Sequence, residues 1–437
     1  MSSRKPLTLT LLAAFLLPVI GNGTALDKTL AEKYFKSAAR LSQRDGGDLW
    51  GMELYGPMMF VDRSTREMVA NQPDTSGLLQ PDGELFTGEL PEGVPVANTA
   101  LDWGGKRWTM IMWPPPEKKF ARNALLMHES FHRIQDRIGI PSQGTFAPYL
   151  NKEQGRILIR LEWEALLRAI QSSGDDRKHH FRNALVFRHY RHQLFAGADI
   201  LEQQLELNEG LAEYTGVVLS GRDSEATIRH LSNIVARAIA LPTLVRSFPY
   251  ISGPLYGVLL DGYGSEWREE VKKLPDLGKL LLKRSDTFPL KVSGETVLQR
   301  QRLYSADSIL AFERERAKQQ AEEIRKYRQI FTKNPILSLP LMNKNVRFDP
   351  RGLTPLDSLG TVYSLLIVTE PWGKVVAREG ALLTPDWTKV LLNAGDLTLP
   401  VSSQSGISLH GWELTLNPGW VIIRGNQGSA YTVTRQE

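Results

Sequence analysis

Asn123-Ala124-Leu125-Leu126-Met127-His128-Glu129-Ser130-Phe131-His132-Arg133-Ile134-Gln135 decides how the rest of the chain is read. Ala124, Leu125, Met127, Phe131 and Ile134 recur at helical spacing, and Gly139-Ile140-Pro141 closes the run, which predicts a helix over 122–138. On a helix, residues four apart lie one above the other on the same face. His128 and His132 can therefore bind one metal ion together. Glu129 sits beside that face, within reach of a water held by the metal. The bland alternative is an amphipathic helix with two surface histidines.

A metal pair of this kind needs a third protein ligand, and a second helical stretch offers carboxylates: Leu205-Glu206-Leu207-Asn208-Glu209-Gly210-Leu211-Ala212-Glu213-Tyr214. The box followed by this string resembles the gluzincin zinc metallopeptidases, and its Asn-Glu-Gly-x-Ala-x-Tyr pattern is most like the aminopeptidase N-like branch. The resemblance implies zinc held by His128, His132 and Glu209, with Glu129 as general base. It implies that Glu213 is an acidic partner fixing the tautomer of a ligand histidine. Phe248-Pro249-Tyr250-Ile251-Ser252-Gly253 resembles the branch's Pro-Tyr-x-x-Gly, which would make Tyr250 a donor to the oxyanion. A core tyrosine at a helix start is the competing reading of Tyr250, and Tyr214, Tyr256 and Tyr263 are available as substitutes. The motifs run in the expected order from His128 to Gly253, and the likeness is absent from both ends.

Two departures limit what carries over. The connection from His132 to Glu209 is much longer than is typical of the family. It reads as two helices, 152–172 and 177–195, joined at Ser173-Gly174-Asp175; such a hairpin leaves and returns at little closure cost. There is also no Gly-Ala-Met-Glu-Asn run, so exopeptidase specificity does not follow. The insert supplies rival ligands in Glu162 and Glu164, and Glu209 is preferred because its surroundings match. His179, His180, His189 and His192 lie on an arginine-rich helix. His189 and His192 offer a second metal pair, but a solvated cationic face is the preferred reading.

Composition sets outer bounds. With 437 residues, 42% hydrophobic and 23% charged, the chain is long enough for a large core and has the make-up of a globular protein. A net charge of +5, with no helix-turn-helix, zinc-finger or phosphate-loop pattern, gives no nucleic-acid signature. Arg4 and Lys5 precede an apolar run over 7–20 and small residues at Gly23 and Ala25, which predicts a secretory signal cut after Ala25; an uncleaved anchor is the alternative. There are no cysteines, hence no disulfides. The expectation is an exported bacterial protein, periplasmic or secreted, with no stable membrane span once the signal is removed.

The expected fold is α+β and zincin-like: a mostly helical catalytic domain, preceded by a small β-containing region and followed by a β-rich module. The expected segments are a signal over 1–25, an α/β region with an edge hairpin over 26–118, and a helical zinc-peptidase domain over 119–285. A charged helical linker over 286–347 and a β-rich module over 348–437 follow. Residues 71–93 read as an exposed loop. The strand 107–113 reads either as a sheet edge that takes an extended substrate or as a buried strand. Trp372, Trp387, Trp412 and Trp420 suit core packing better than a ligand groove. The expected activity is hydrolysis of a peptide or protein substrate. A catalytically silent envelope scaffold and a zinc hydrolase acting on another bond are the alternatives. Oligomeric state is left open.

Overall fold

The computed structural model describes residues 26–286, 291–349, 352–395, 397–399, 406–425 and 430–436, so the expected signal over 1–25 lies outside the described residues. The chain is mixed α and β with three sheets among the described residues. It divides into two compact units, Met1–Ala311 and Phe312–Glu437.

The first unit opens with α1 (Lys28–Asp45). Asp27 caps it by accepting from the Leu30 N–H, and Gly46 ends it in the left-handed region. A six-stranded sheet follows, built from β1 (Met58–Asp62), β2 (Glu67–Ala70), β3 (Gln80–Asp82), β4 (Leu85–Glu89), β5 (Thr99–Trp103) and β6 (Lys106–Trp113). Its order is β3-β4-β2-β1-β6-β5. Gly104 and Gly105 both take positive φ, which is what a two-residue hairpin turn between β5 and β6 requires. β5 is the outer strand of that hairpin. β6 lies inside the sheet, parallel to β1 with Met59 opposite Met110, and is buried along most of its length. The buried-strand reading of 107–113 is therefore the one observed.

The stretch 71–93 is not a simple loop. It holds β3 and β4, with β4 paired antiparallel to β2. Asp74 organises the approach by accepting from the N–H groups of Ser76, Leu78 and Leu79, and Leu79 and Leu85 are buried. The strands are short and Pro81 interrupts the pattern, so no alternation is long enough to be read from the residues alone.

Helices carry the rest of this unit: α2 (Lys119–Ile134), α3 (Glu153–Gln171), α4 (Gly174–Leu194) and α5 (Ala198–Leu205), then a π-helix (Glu206–Gly210) that runs straight into α6 (Leu211–Leu219). After these come α7 (Ser224–Arg237), α8 (Pro249–Asp261), α9 (Trp267–Glu270), α10 (Leu277–Arg284) and α11 (Gly294–Gln301). α2 packs on β5, β6 and α6, while α8 packs on α3, α6 and the π-helix. One apolar cluster including Phe131, Trp163, Leu211, Tyr214 and Leu255 joins these helices. α12 (Ala306–Lys333) crosses the division between the units. No helix among the described residues is long and apolar enough to cross a membrane.

The second unit is a β body. Its strands are β7 (Ile336–Pro340), β8 (Val346–Phe348), β9 (Leu353–Pro355), β10 (Thr361–Tyr363), β11 (Leu366–Glu370) and β12 (Gly373–Ala377). β13 (Ala381–Leu383), β14 (Lys389–Asn393), β15 (Ile407–Leu409), β16 (Trp412–Leu416), β17 (Trp420–Arg424) and β18 (Ala430–Arg435) complete it. They form a seven-stranded sheet, β17-β18-β7-β14-β13-β10-β9, and a five-stranded sheet, β15-β16-β12-β11-β8. β7 sits between β18 and β14, so this body begins before residue 348 and takes in part of the expected linker. Tyr327 and Phe331 of α12 join Leu356, Val362 and Leu382 in one of its apolar clusters. Trp372 and Trp412 are core residues whose indole N–H groups donate to Pro340 and Asn393 carbonyls, and Trp420 is buried. Trp387 departs from that reading: it is 38% exposed.

Candidate metal centre

α2 brings His128, Glu129 and His132 together as its periodicity predicts, and all three are buried. The two imidazole Nε2 atoms are 3.2 Å apart. Glu209 reaches them from the π-helix, its Oε2 lying 3.6 Å from the Nε2 of His128 and 3.6 Å from that of His132. Three atoms at those separations surround a point about 2.0 Å from each, the length of a zinc bond to imidazole nitrogen or carboxylate oxygen. A donor set of two neutral imidazoles and one carboxylate is also the set used by catalytic zinc. Donor atoms of Glu129 lie within 4.8 Å of the two histidines as well. The Glu209 Oε2 is equidistant from both imidazoles. Neither Glu129 oxygen has a hydrogen-bond partner among the described residues, although the side chain is wholly buried. A buried carboxylate without a hydrogen-bond partner is costly and calls for a partner such as an ion, a water or a substrate.

The far side of each imidazole is held. The Glu213 Oε2 lies 2.9 Å from His128 Nδ1, and the Gln135 Oε1 lies 2.8 Å from His132 Nδ1. An acceptor at each Nδ1 places the proton there and leaves Nε2 free to bind a cation. Gln135 donates on to Asn208 Oδ1 at 3.2 Å, and Asn208 donates to Glu209 Oε1 at 3.1 Å. A chain of hydrogen bonds thus links the two helices that carry His132 and Glu209. Gln135 and Asn208 escape a reading of the sequence, since an amide three residues after a histidine carries no signal until the fold supplies its second partner.

Charges follow the geometry. Burial alone would depress the His128 imidazole, but the Glu209 and Glu213 carboxylates hold it well above its usual value. Glu209 likewise lifts His132 against the pull of burial. Burial would raise the Glu209 carboxyl, yet the two imidazoles push it far below the carboxylate range. The carboxylates thus favour charge on the imidazoles, and the imidazoles favour charge on Glu209. Burial pushes the Glu129 carboxyl up to about 7, with the histidines drawing it down in part. A base poised near neutrality is suited to moving protons.

Tyr250 stands at this centre. Its ring stacks on His128 with centroids 5.7 Å apart, and its hydroxyl donates to Glu209 Oε2 at 2.7 Å. It reaches so far because α8 crosses the π-helix at two glycines. A Cβ on Gly253 would lie 2.2 Å from the Gly210 carbonyl oxygen and 2.3 Å from its Cα. The three substitutes for Tyr250 are placed elsewhere: the Tyr256 hydroxyl donates to Glu162, the Tyr214 hydroxyl to Asp261, and Tyr263 packs against Phe181.

The rival ligand Glu162 is also placed elsewhere. Glu162 is fully buried and paired with Arg191 at 2.6 Å. The expected solvated face of α4 is a correction. Arg188 and Arg191 are buried there, matched by carboxylates on other elements that a local reading does not see. His192 Nε2 lies 2.8 Å from a Glu202 carboxylate oxygen, and His180 Nδ1 lies 2.9 Å from the Tyr304 hydroxyl.

No protein-family model matches the chain, and neither a curated protein nor a solved structure does.

Proposed function

We propose that the chain is a zinc-dependent hydrolase of peptide bonds, with a zincin-like helical catalytic unit, exported by the segment over 1–25. The observation that carries this is the convergence of His128 Nε2, His132 Nε2 and Glu209 Oε2 beside an unpartnered, buried Glu129. When bound, zinc supplies Lewis-acid polarisation of water and of a carbonyl oxygen. Glu129 takes the proton of the attacking water and returns it to the leaving amine, work suited to a carboxyl raised to about 7. The Tyr250 hydroxyl moves from Glu209 to the oxyanion of the tetrahedral intermediate, where a preorganised donor stabilises charge absent from the substrate. Glu213 and Gln135 keep both imidazoles turned for binding. The peptide substrate rests on the resemblance of the His128–Gly253 motifs, since the same water chemistry serves other carbonyls.

Glu129→Gln tests the reaction. The amide cannot accept a proton, so the variant should fold and hold one zinc per chain while losing peptide hydrolysis. Near-normal turnover by this variant on any peptide that the natural chain cuts would sink the assignment.

A further inference from the structure

A buried ion cluster beside the centre takes no part in the chemistry above. Arg188 of α4 sets its guanidinium as a fork on Glu206, with Nη1 2.8 Å from Oε1 and Nη2 2.8 Å from Oε2. Arg191, one turn on, pairs with Glu202 of α5 at 2.6 Å and with Glu162 of α3 at 2.6 Å. The Tyr256 hydroxyl of α8 closes on Glu162 at 2.7 Å, and the Arg188 guanidinium lies over the Tyr256 ring. Arg188 is 1% exposed, and Arg191, Glu162, Glu202 and Glu206 are each 0% exposed. Burying ions this deeply is weak evidence of a gain in stability, because apolar residues of similar volume commonly do as well or better. Placement suggests what the cluster does instead.

Glu206 opens the π-helix, and Glu209 is three residues further along the same element. A π-turn is rarer and less favourable than the α-helical turn this chain could form, so it needs fixing from outside. Returning this segment to α-helical winding would rotate Glu209 relative to α5. The bidentate fork grips the first residue of the turn in a fixed plane, as only a guanidinium on a carboxylate can. At the last residue of the same element, Gly210 meets Gly253 of α8. The ligand carboxylate therefore sits between a charged clamp at one end of its π-turn and a backbone contact at the other.

We propose that Arg188 is a positioning residue, whose fork on Glu206 holds the π-helix in the winding that turns Glu209 toward His128 and His132. The helical insert of α3 and α4 then has a role in the metal centre: it delivers the clamp. This rests on the proposed metal centre.

The test uses the full chain and two readouts. Zinc affinity is measured by competition with a chromophoric chelator, and amide hydrogen exchange across 205–211 is measured in the metal-free protein. Arg188→Met should lower zinc affinity by about 10-fold, the low end of the loss when a group in direct contact with a ligand is removed, and exchange across 205–211 should rise. Arg188→Met combined with Glu206→Met removes both charges and should regain thermal stability without regaining zinc affinity or protection. A merely structural cluster predicts otherwise: the double variant would recover stability, affinity and protection together, and that result overturns the proposal. Should Arg188→Met fail to fold, Glu206→Gln keeps the volume but breaks the charged fork, and the same fall in affinity is expected; natural affinity there overturns the proposal equally. Failure of the natural chain to bind zinc would instead remove the metal centre itself. Zinc binding indifferent to the fork removes only the role of Arg188.

Discussion

Gly253→Ala should injure the centre without touching any residue that does chemistry. The new Cβ would stand 2.2 Å from the Gly210 oxygen, 2.3 Å from its Cα and 2.4 Å from its carbonyl carbon. These are backbone atoms, so no flexible side chain can yield, and α8 must retreat from the π-helix by about 1 Å to restore ordinary contact. The Tyr250 hydroxyl, now 2.7 Å from Glu209 Oε2, would then lie beyond hydrogen-bonding distance. Overpacking of this kind costs ~2–3 kcal/mol. For a unit of this size that lowers the melting temperature by about 3–5 °C. The assay is calorimetric unfolding with saturating zinc and with chelator, alongside turnover. Gly210→Ala is an internal scale: its Cβ would meet the Gly253 Cα at 3.2 Å, a far milder clash. Gly144→Ala, with nothing within 4 Å, is the control. A Gly253→Ala protein that melts and turns over like the natural chain would refute the close crossing and the reason given for Tyr250 reaching the site.

Three further outcomes follow from particular side chains. Tyr250→Phe should lower kcat by ~10²–10³ while moving KM little, the signature of a donor that meets charge only in the transition state. Tyr256→Phe, which strips a buried donor from Glu162, should cost about 1–2 kcal/mol of stability and leave the chemistry intact; steady-state kinetics with the roles reversed would move the oxyanion donor to Tyr256. His230 supplies a pH test away from the ligands. Burial, with Arg222 and Arg237 and against the attraction of Glu213, depresses its imidazole from the usual 6.5 to about 4. Between those values the unfolded chain binds the proton that the folded chain refuses. Stability is therefore full above pH 6.5 and falls as pH drops toward 4, by up to about 1.4 kcal/mol per unit. His230→Asn should flatten that stretch of the stability profile, and denaturant melts from pH 4 to 7 that show an unchanged slope would contradict it.

What could be read from the sequence was what is local. His128, Glu129 and His132 lie on one helix, and a 3.6-residue period settles their arrangement without tertiary information. Glu209, Glu213 and Tyr250 were reachable only because their strings resemble a family, since nothing in helical periodicity brings the π-helix, α6 or α8 to α2. The structure brings the first to 3.6 Å and the second to 2.9 Å of an imidazole. The π-helix was invisible, because one extra residue in a turn leaves no mark in a short apolar pattern. The buried arginines of α4 were misread for a related reason. Their partners Glu162, Glu202 and Glu206 come from α3, α5 and the π-helix, and a charged helix viewed alone looks solvated. β3 was missed because its three exposed residues around Pro81 carry no alternation, and β4 because Leu85 alone of its five residues is buried.

The central claim is a metal held by His128, His132 and Glu209, and anomalous diffraction at the zinc edge tests it most directly. Crystals of the zinc-loaded chain should show one strong anomalous peak about 2.0–2.2 Å from the Nε2 atoms of His128 and His132 and from a Glu209 carboxylate oxygen. No peak there, or a peak that leaves Glu209 outside bonding distance, would contradict it.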